Sequence, residues 1–249
     1  MSKKESFYIY GRNPVEEALK NRPRQIEKIL VRSNLKPSAF FNIKKLSEDN
    51  NVQIQKVPAK RILSLIGRVN DQGIVAKLSQ IQYTDYFEWI ETVDLSTNPA
   101  VLLLDGLEDP YNFGAILRTA AASGIRAVIV PSQKQSPVNA AVFKTSAGTA
   151  GKIPIIRVHN TNQGIKDLKL AGFSIIGMDG NASETIWDAP LQKPLAFVIG
   201  NEGQGISKQT LKKCDHSIRI PMENEVESLN ASVSAALVCY EWKRQQSKD

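Results

Sequence analysis

The chain has 249 residues, of which 42% are hydrophobic, and a formal net charge of +7. These values are typical of a globular protein of one large or two modest domains, and they exclude a disordered chain. No apolar run approaches the roughly 18 residues of a membrane-spanning helix, and the N-terminus lacks the apolar region of a secretory signal, so we expect a soluble, cytoplasmic protein with no membrane partner. The two cysteines, Cys214 and Cys239, lie in no disulfide or metal-ligand pattern, so we expect reduced thiols and no bound metal.

The positive charge is concentrated in the first third of the chain. Residues 1–82 contain 16 Lys and Arg against 7 Asp and Glu, a net +9, whereas residues 83–249 contain 16 against 18, a net −2. Clustered basic residues bind polyanions by releasing counterions from phosphates, which indicates a polyanion-binding module joined to a nearly neutral one. The alternative is a solvated basic face that only keeps the protein soluble.

Residues 1–82 show the alternating pattern of a small α/β domain. After a strand that begins near Tyr8, Asn13 is placed to cap a short helix with Pro14 at its first position. The segments that follow predict strand, helix, strand, helix and strand in turn: IEKILVRS, AFFNIKKLSEDN, VQIQKVP, RILSLIG and QGIVAKLSQI. Residues 83–97, which are acidic and aromatic, predict a short helix and a linker.

Residues 98–249 predict a second domain built on a parallel sheet. The run AVLLLDGL is typical of a strand buried on both faces, and a helix from about Asn112 to Ser123 follows it and ends at Gly124. Four further apolar runs of the same kind alternate with helical segments: RAVIVP, FSIIGMD, LAFVIG and SIRIPM. Strands that alternate with helices indicate a parallel sheet covered on both faces.

The stretch DPYNFGAILRTAAASG carries a lone arginine, Arg118, in a helix otherwise built of small and apolar residues. Burying an unpaired guanidinium is costly, so either the side chain reaches water or an anion meets it. Asn112 is placed to cap this helix, and because it lies less than two turns from Arg118, both side chains can reach the same end of the sheet. Taken alone, the pattern also fits a cap and a surface residue.

A glycine-rich stretch, FVIGNEGQGIS, follows another predicted strand. Gly200, Gly203 and Gly205 lack the GxGxxG spacing of a dinucleotide site, which disfavours a nucleotide-dependent oxidoreductase. Glu202 places a carboxylate at the carboxyl end of the strand, where open α/β sheets bind ligands. Ser207 is expected to cap the helix after the loop.

The stretch IRIPMENEVESLNASVSAA runs from a strand through a polar loop into the C-terminal helix. Ser228 and Asn230 stand before that helix and could serve only as caps. Val233, Leu237 and Tyr240 form an apolar stripe on it, which indicates core packing or a subunit interface. His159 and His216 accompany no nucleophile motif, and the sequence has no P-loop, so histidine catalysis and phosphoryl transfer from ATP are disfavoured.

Taken together and in this order, the three stretches resemble the signature motifs of the SpoU/TrmH family of RNA ribose 2′-O-methyltransferases, in the SPOUT superfamily. The match covers about residues 99–243. Residues 1–82 resemble the L7Ae/L30e-like domain that binds the RNA substrate in the RlmB-like branch of this family. The resemblance implies an α/β fold, with a small N-terminal domain and a catalytic parallel-sheet domain whose C-terminal chain threads a deep trefoil knot.

The resemblance also implies S-adenosylmethionine as cofactor and a homodimer formed through the C-terminal helix. It assigns catalytic roles to Asn112, Arg118, Glu202, Ser228 and Asn230, and cofactor contacts to Gly200, Ile220 and Leu229. It implies methylation of a ribose, on a guanosine of large-subunit (23S) ribosomal RNA. Transfer RNA is the alternative substrate, and a non-enzymatic RNA-binding or ribosome-assembly protein is the alternative function.

Overall fold

The computed structural model describes residues 7–21, 23–78 and 83–247, which form two compact units. One unit holds the described residues up to Leu78 together with Val138–Lys152, and the other holds Tyr83–Pro137 together with the described residues from Ile153. Among the described helices, none is both long enough and apolar enough to cross a bilayer.

The first unit contains a four-stranded sheet in the order β1-β4-β2-β3, in which β2 and β3 are parallel and the other pairs are antiparallel. Its sheet and helices have these bounds: β1 Phe7–Tyr10, α1 Arg12–Asn21, β2 Ile26–Arg32, α2 Phe41–Asp49, β3 Ile54–Val57, α3 Ala59–Ile66 and β4 Ile74–Leu78. The predicted order of elements is confirmed. The predicted cap at Asn13 is wrong, because α1 already begins at Arg12, and the end of QGIVAKLSQI lies outside the described residues.

A segment from the middle of the chain also belongs to the first unit. It contains α6, Ala140–Thr145, which contacts β1, and a 3-10 helix at Thr149–Gly151. Along the chain, Val138–Lys152 lies between two strands of the other sheet. No change in composition indicates that this segment belongs to the first unit. The division into domains at 1–82, 83–97 and 98–249 stays a prediction.

Residues 83–97 pack as part of the second unit. The predicted short helix is α4, Tyr86–Ile90, and Asp85 caps it by accepting hydrogen bonds from the backbone nitrogens of Phe87 and Glu88. Trp89 is only 4% exposed and stacks on Phe173, with ring centroids 6.4 Å apart. Burial raises the pKa of Tyr86 to about 12, and the nearby carboxylate of Asp167 adds to this rise.

The second unit contains a seven-stranded sheet in the order β7-β6-β5-β10-β8-β11-β9, in which each neighbouring pair is parallel. The predicted α/β class with a parallel sheet is therefore confirmed. Its remaining elements are β5 Ala100–Asp105, α5 Pro110–Ser123, β6 Val128–Pro131, β7 Ile155–Val158, α7 Thr161–Leu170, β8 Ser174–Met178, β9 Glu184–Thr185, β10 Leu195–Gly200, α8 Lys208–Leu211, β11 His216–Arg219 and α9 Ala231–Gln246.

Both faces of this sheet are covered. Strand β5 is fully buried from Ala100 to Leu104, α7 packs against β5, β6, β7 and β8, and α9 packs against β10 and α5. Because every strand is parallel, the carboxyl ends of β5 and β10 lie side by side, with Gly200 in register with Asp105. The three stretches that resemble the family motifs meet at this edge. The trefoil knot stays a prediction.

The two thiols are packed into this unit. Burial raises the pKa of Cys214 to about 11 and the pKa of Cys239 to about 12. Both groups are therefore protonated at neutral pH, which disfavours reactivity, since the thiolate is the nucleophile.

Candidate functional site

The turn between β5 and α5 is fixed by an aspartate cap. Asp109 accepts hydrogen bonds from the backbone nitrogens of Tyr111, at 3.1 Å, and Asn112, at 3.2 Å, and Pro110 occupies the first helical position. The prediction that Asn112 caps this helix is wrong, because the helix begins two residues earlier. The amide of Asn112 is consequently available for contacts with other parts of the fold. Gly124 ends the helix with φ +90°, as predicted.

Asn112 joins two distant parts of the chain through its side-chain amide. Its Nδ2 donates to Oε1 of Glu202 at 2.9 Å, and its Oδ1 accepts from Nδ2 of Asn230 at 2.9 Å. Asn230 also caps α9, because its Oδ1 accepts from the backbone nitrogen of Ser232 at 2.8 Å. Capping uses the oxygen of Asn230 and leaves its NH₂ group to donate, so each amide orientation supports the other. We call this chain of three side chains the amide–carboxylate chain.

The glycine loop after β10 is a tight turn closed on itself. Asn201 and Gly205 exchange backbone hydrogen bonds at 3.2 Å, and Oδ1 of Asn201 accepts from the backbone nitrogens of Gly203 and Gln204. A Cβ atom at Gly200 would overlap the backbone of Gly205, which itself has φ +65°. Only glycine fits at Gly200, and the left-handed φ of Gly205 favours glycine there. The closed turn presents the Glu202 side chain at the sheet edge.

Ser207 caps α8, as predicted, by accepting a hydrogen bond from the backbone nitrogen of Thr210 at 3.1 Å. The backbone nitrogen of Ser207 in turn donates to Oδ2 of Asp105 at 3.2 Å, while Oδ1 of Asp105 accepts from the hydroxyl of Thr161 at 2.6 Å. Asp105 therefore fastens β5 to α7 and to the end of the glycine loop. Sequence reasoning missed this residue, although a carboxylate directly after the apolar run AVLLL is the signal that marks it.

A cavity of about 820 Å³ lies beside this loop, and we call it the knot-side cavity after the predicted knot. It is bounded by the carboxyl ends of β8, β10 and β11 and by the loop that leads into α9. Six residues with predicted roles line it: Gly200, Glu202, Ile220, Ser228, Leu229 and Asn230. Asn112 reaches this group through its bonds to Glu202 and Asn230. The structure thus gathers all but one of the predicted site residues, whose roles stay predictions.

The segment Met178–Asn181, which begins at the last residue of β8, also lines this cavity and was missed from the sequence. Its backbone is held by Asp179, whose Oδ1 accepts from the backbone nitrogen of Asn181 at 3.1 Å. The signal was present as FSIIGMDGN, an apolar strand that runs into polar residues, the same pattern that marks β5 and β10.

Arg118 is placed apart from the other predicted residues. Its side chain is exposed, lines neither this cavity nor its neighbours, and makes no hydrogen bond or ion pair within residues 7–21, 23–78 and 83–247. Six positions along an α-helix correspond to a rotation that leaves Asn112 and Arg118 about 120° apart around the axis. The expectation that both side chains reach the same end of the sheet therefore holds for Asn112 but not for Arg118 within one chain.

The apolar stripe on α9 is exposed rather than packed in the core. Val233 is 45% exposed and Tyr240 is 50% exposed, while Leu237 is half-buried. The buried side of the helix carries Ala235, Val238, Cys239 and Trp242 instead. The prediction that the stripe packs in the core is therefore wrong for Val233 and Tyr240. The other interpretation, a subunit interface, stays a prediction. Among the described residues, no three His, Cys, Asp or Glu side chains are grouped to hold a metal.

Comparison with known proteins agrees with this geometry. The model of the SpoU rRNA methylase family matches residues 99–240, and that of the RNA 2′-O ribose methyltransferase substrate-binding domain matches residues 8–84. A protein from Xylella fastidiosa named 23S rRNA (guanosine-2′-O-)-methyltransferase RlmB is 34% identical over 245 residues, 98% of either chain. A protein from Staphylococcus aureus, named provisionally as a TrmH family tRNA/rRNA methyltransferase, is 39% identical over 241 residues, 95% of either chain.

A crystal structure shares the fold. The SpoU methyltransferase AviRb from Streptomyces viridochromogenes, solved in complex with AdoMet, superposes with a TM-score of 0.81 at 22% identity, over 98% of this chain and 91% of that one. The first family model covers more than half of the chain, and a relative of matching length exceeds 30% identity. The chain therefore belongs to the SpoU rRNA methylase family and is an RNA methyltransferase.

Proposed function

We propose that this protein transfers a methyl group from S-adenosylmethionine to the 2′-oxygen of a guanosine ribose in large-subunit ribosomal RNA. The observation that carries the proposal is the amide–carboxylate chain of Asn112, Glu202 and Asn230, which lies where the knot-side cavity meets the turn after β5. Three side chains from distant parts of the sequence converge there, and two of them line the cavity itself.

The residues of the knot-side cavity fit S-adenosylmethionine. Its volume of about 820 Å³ lies within the usual range of small-molecule sites, roughly 300–1,000 Å³. Apolar side chains such as Ile206 and Ile218 suit an adenine ring, and the carboxylates of Asp179 and Glu227 suit the cationic groups of the cofactor. We assign the holding contacts to Gly200, Ile220 and Leu229.

When bound, S-adenosylmethionine supplies a methyl carbon attached to a positively charged sulfur, which makes that carbon an electrophile. The protein must therefore hold the 2′-oxygen in line and help it lose its proton. A free hydroxyl is a poor nucleophile at neutral pH, so a group that stabilises the developing alkoxide lowers the barrier.

Arg118 is the group that we assign to this task. A guanidinium remains protonated in proteins and has no acceptor, so it acts as a cation rather than as a base. It grips a phosphate next to the target ribose and stabilises the alkoxide as it forms, while that phosphate or a water molecule takes the proton. The planar fork of the guanidinium matches the oxygens of a phosphate.

The amide–carboxylate chain positions the ribose and the arginine. Oε1 of Glu202 is occupied by Asn112, whereas Oε2 makes no hydrogen bond among the described residues and can accept one from the 2′-hydroxyl or from Arg118. Asn230 fixes Asn112 from the other end. Ser228, which lines the same cavity, supplies a further hydroxyl on that side.

The exposed position of Arg118 leads us to propose a homodimer in which this arginine serves the site of a second copy. Helices α5 and α9 pack together, so Arg118 and the exposed stripe of Val233 and Tyr240 belong to neighbouring helices. An apolar stripe that is half exposed in one chain is buried when two copies meet through it. Each active site then needs residues from both chains.

The RNA substrate is bound by the basic first unit, through phosphates and shape. The match of residues 8–84 to a substrate-binding domain supports this role, and the name of the Xylella relative supports a guanosine of 23S ribosomal RNA. The name of the Staphylococcus relative leaves transfer RNA as the second candidate. Ribosomal RNA as substrate places the reaction in the cytoplasm.

The substrate is tested with separated RNA fractions. Large-subunit ribosomal RNA and transfer RNA from a strain that lacks this gene are each incubated with the protein and labelled S-adenosylmethionine. We expect label in the ribosomal RNA, and label that accumulates at least about tenfold more slowly when Glu202→Ala replaces the wild-type protein. Label confined to transfer RNA supports the second candidate, and RNA binding without any transfer supports a non-enzymatic role.

A further inference from the structure

A second cavity, of about 650 Å³, borders the same glycine loop and is not used by the cofactor assignment. It opens at the carboxyl ends of β5, β6 and β7, and we call it the strand-end cavity. Residues Asn201–Gly205 line both this cavity and the knot-side cavity. Since β10 lies between β5 and β8 in the sheet, the loop that follows it separates the two cavities.

The wall between the cavities is a single turn of backbone. The mutual hydrogen bonds of Asn201 and Gly205 close this turn, and Glu202 stands on it and lines both sides. Two molecules bound in the two cavities would therefore be neighbours across one carboxylate. If one cavity holds the methyl donor and the other holds the nucleotide, the reacting atoms meet at this loop.

The strand-end cavity offers polar groups that the fold itself does not use. Asp105 is satisfied, because its two oxygens bind Thr161 and Ser207. By contrast, the side chains of Glu108 and Lys134 make no hydrogen bond or ion pair with any described residue, yet both line the cavity. A ligand in this cavity could therefore donate hydrogen bonds to the carboxylate of Glu108 and accept them from the ammonium of Lys134.

The backbone at Lys134 is also held in an unusual conformation. Lys134 has φ +54°, a value that residues with side chains rarely adopt, and its carbonyl oxygen lies 3.3 Å from the position that a Cβ atom at Gly106 would take. Backbone conformations of this kind cluster at active sites and ligand-binding sites. The close approach to Gly106 fixes Lys134 at the rim next to the turn that carries Glu108.

We propose that the strand-end cavity binds the base of the methylated nucleotide, and that Glu108 and Lys134 select guanine. This inference rests on the proposed function and names the part of the substrate that the second cavity takes. Guanine is the base whose Watson–Crick edge presents two adjacent donors, N1–H and the N2 amino group, which match the two oxygens of one carboxylate. Its O6 and N7 are acceptors that suit an ammonium. Adenine would turn its N1 acceptor toward the carboxylate and repel it.

The test uses an RNA fragment of the mapped target sequence, made with guanosine, inosine or adenosine at the methylated position. Inosine lacks the N2 amino group, so it should lower kcat/KM of the wild-type protein about tenfold. Glu108→Gln should lower kcat/KM on the guanosine RNA by a similar factor, because an amide offers one acceptor oxygen and one NH₂ group to the two donors of guanine. The inosine change should then cost this variant no more than about twofold, because one oxygen is enough for the single donor that inosine keeps. Lys134→Gln should lower kcat/KM on the guanosine RNA alone by about tenfold.

Two controls separate base recognition from damage to the fold or to the cofactor site. The dissociation constant for S-adenosylmethionine, measured by calorimetry, should stay within about twofold of the wild-type value in both variants, because the cofactor occupies the other cavity. Lys212→Gln, at an exposed lysine that lines neither cavity, should behave as wild type on all three RNAs.

The outcomes separate this inference from the function on which it rests. A methylated nucleotide that is not a guanosine overturns the base assignment, and so does an inosine penalty that persists in full in Glu108→Gln. In the second case the proposed function stands unchanged. In the first case methylation of a ribose in ribosomal RNA stands, and only the guanosine in the proposed function is removed. Failure of the wild-type protein to methylate any ribose removes the proposed function, and this inference with it.

Discussion

The side-chain amide of Asn112 donates to Oε1 of Glu202 at 2.9 Å, although 90 residues separate the two along the chain. Asn230, 118 residues from Asn112, donates to the other end of the same amide. Asn112 is therefore the middle member of the amide–carboxylate chain. It ties the first turn of α5 to the glycine loop and to the start of α9, so the three motifs of the sequence meet at one side chain.

We expect Asn112→Ala and Glu202→Ala each to lower kcat by about 10- to 100-fold, because each leaves the other side chain without its partner. If the two act as one unit, the double variant should be little worse than either single one, with a coupling free energy of roughly 0.5–3 kcal/mol. Single-turnover methyl transfer with all four proteins measures this. Losses that multiply would contradict a shared role.

The glycine loop gives a matched pair of substitutions. Gly200→Ala would place a Cβ in overlap with the backbone of Gly205, whereas a Cβ at Gly203 would have as its nearest neighbour Oδ1 of Asn201, at 3.7 Å. We expect Gly200→Ala to abolish binding of S-adenosylmethionine, because the turn must open, and Gly203→Ala to retain it. Calorimetric titration of both variants decides this, and equal affinities would show that the turn does not shape the cofactor cavity.

Local patterns in the sequence predict most of this architecture. Continuous apolar runs give β5, β6, β8 and β10, because strands buried on both faces must be apolar throughout. The run SIRIPM also gives a strand, β11, but within that strand only Ile218 is buried. The cap of α5 was misplaced because Asp and Asn both cap helices, and only Pro110, which marks the first helical position, favours Asp109. Sequence reasoning missed β7 and β9. Strand β9 has only two residues, which are too few to show a pattern.

Long-range relationships are the part that local patterns cannot give. No short stretch reveals that β10 is inserted between β5 and β8, or that Val138–Lys152 leaves the second unit. The bonds of Asn112 to Glu202 and Asn230 depend on that insertion, since it brings the glycine loop beside the turn after β5. The direction of Arg118 likewise depends on its rotation around the helix axis relative to Asn112. The six-residue spacing implies this rotation, but sequence reasoning did not use it.

Arg118 provides a prediction about the chemistry of its side chain. Arg118→Lys keeps the positive charge but loses the planar fork, so we expect at least about a tenfold loss of kcat with little change in RNA affinity. Methyl transfer and filter binding of the same RNA measure the two quantities. Near-normal turnover with intact binding would refute the assigned role.

The same residue tests whether the active site spans two copies. Arg118→Ala and Glu202→Ala are each expected to keep at most about a tenth of the wild-type kcat as homodimers. When the two proteins are unfolded together and refolded, mixed dimers contain one site with an intact Glu202 from one chain and an intact Arg118 from the other. Activity should then return in the mixture, in proportion to the mixed dimers. Continued inactivity of a verified mixed dimer would place Arg118 at the site of its own chain.

The basic first unit should control the salt dependence of RNA binding. Lys45, Lys60, Arg61 and Arg68 are exposed and form no ion pair with a described residue. Their joint replacement by glutamine should weaken RNA binding and reduce the slope of log K against log salt by about 0.7 for each phosphate that the variant no longer neutralises. Replacing the exposed Arg126 and Lys212 of the second unit should leave the slope as it is. An unchanged slope in the first variant would assign RNA binding to another surface.

The position of the transferred methyl group tests the central claim most directly. RNA labelled by the protein from radioactive S-adenosylmethionine is hydrolysed completely with alkali, which cleaves a linkage only where the 2′-hydroxyl is free. Transfer to the ribose predicts that the label migrates as an alkali-resistant dinucleotide. Label recovered in mononucleotides would place the methyl on a base and contradict the account.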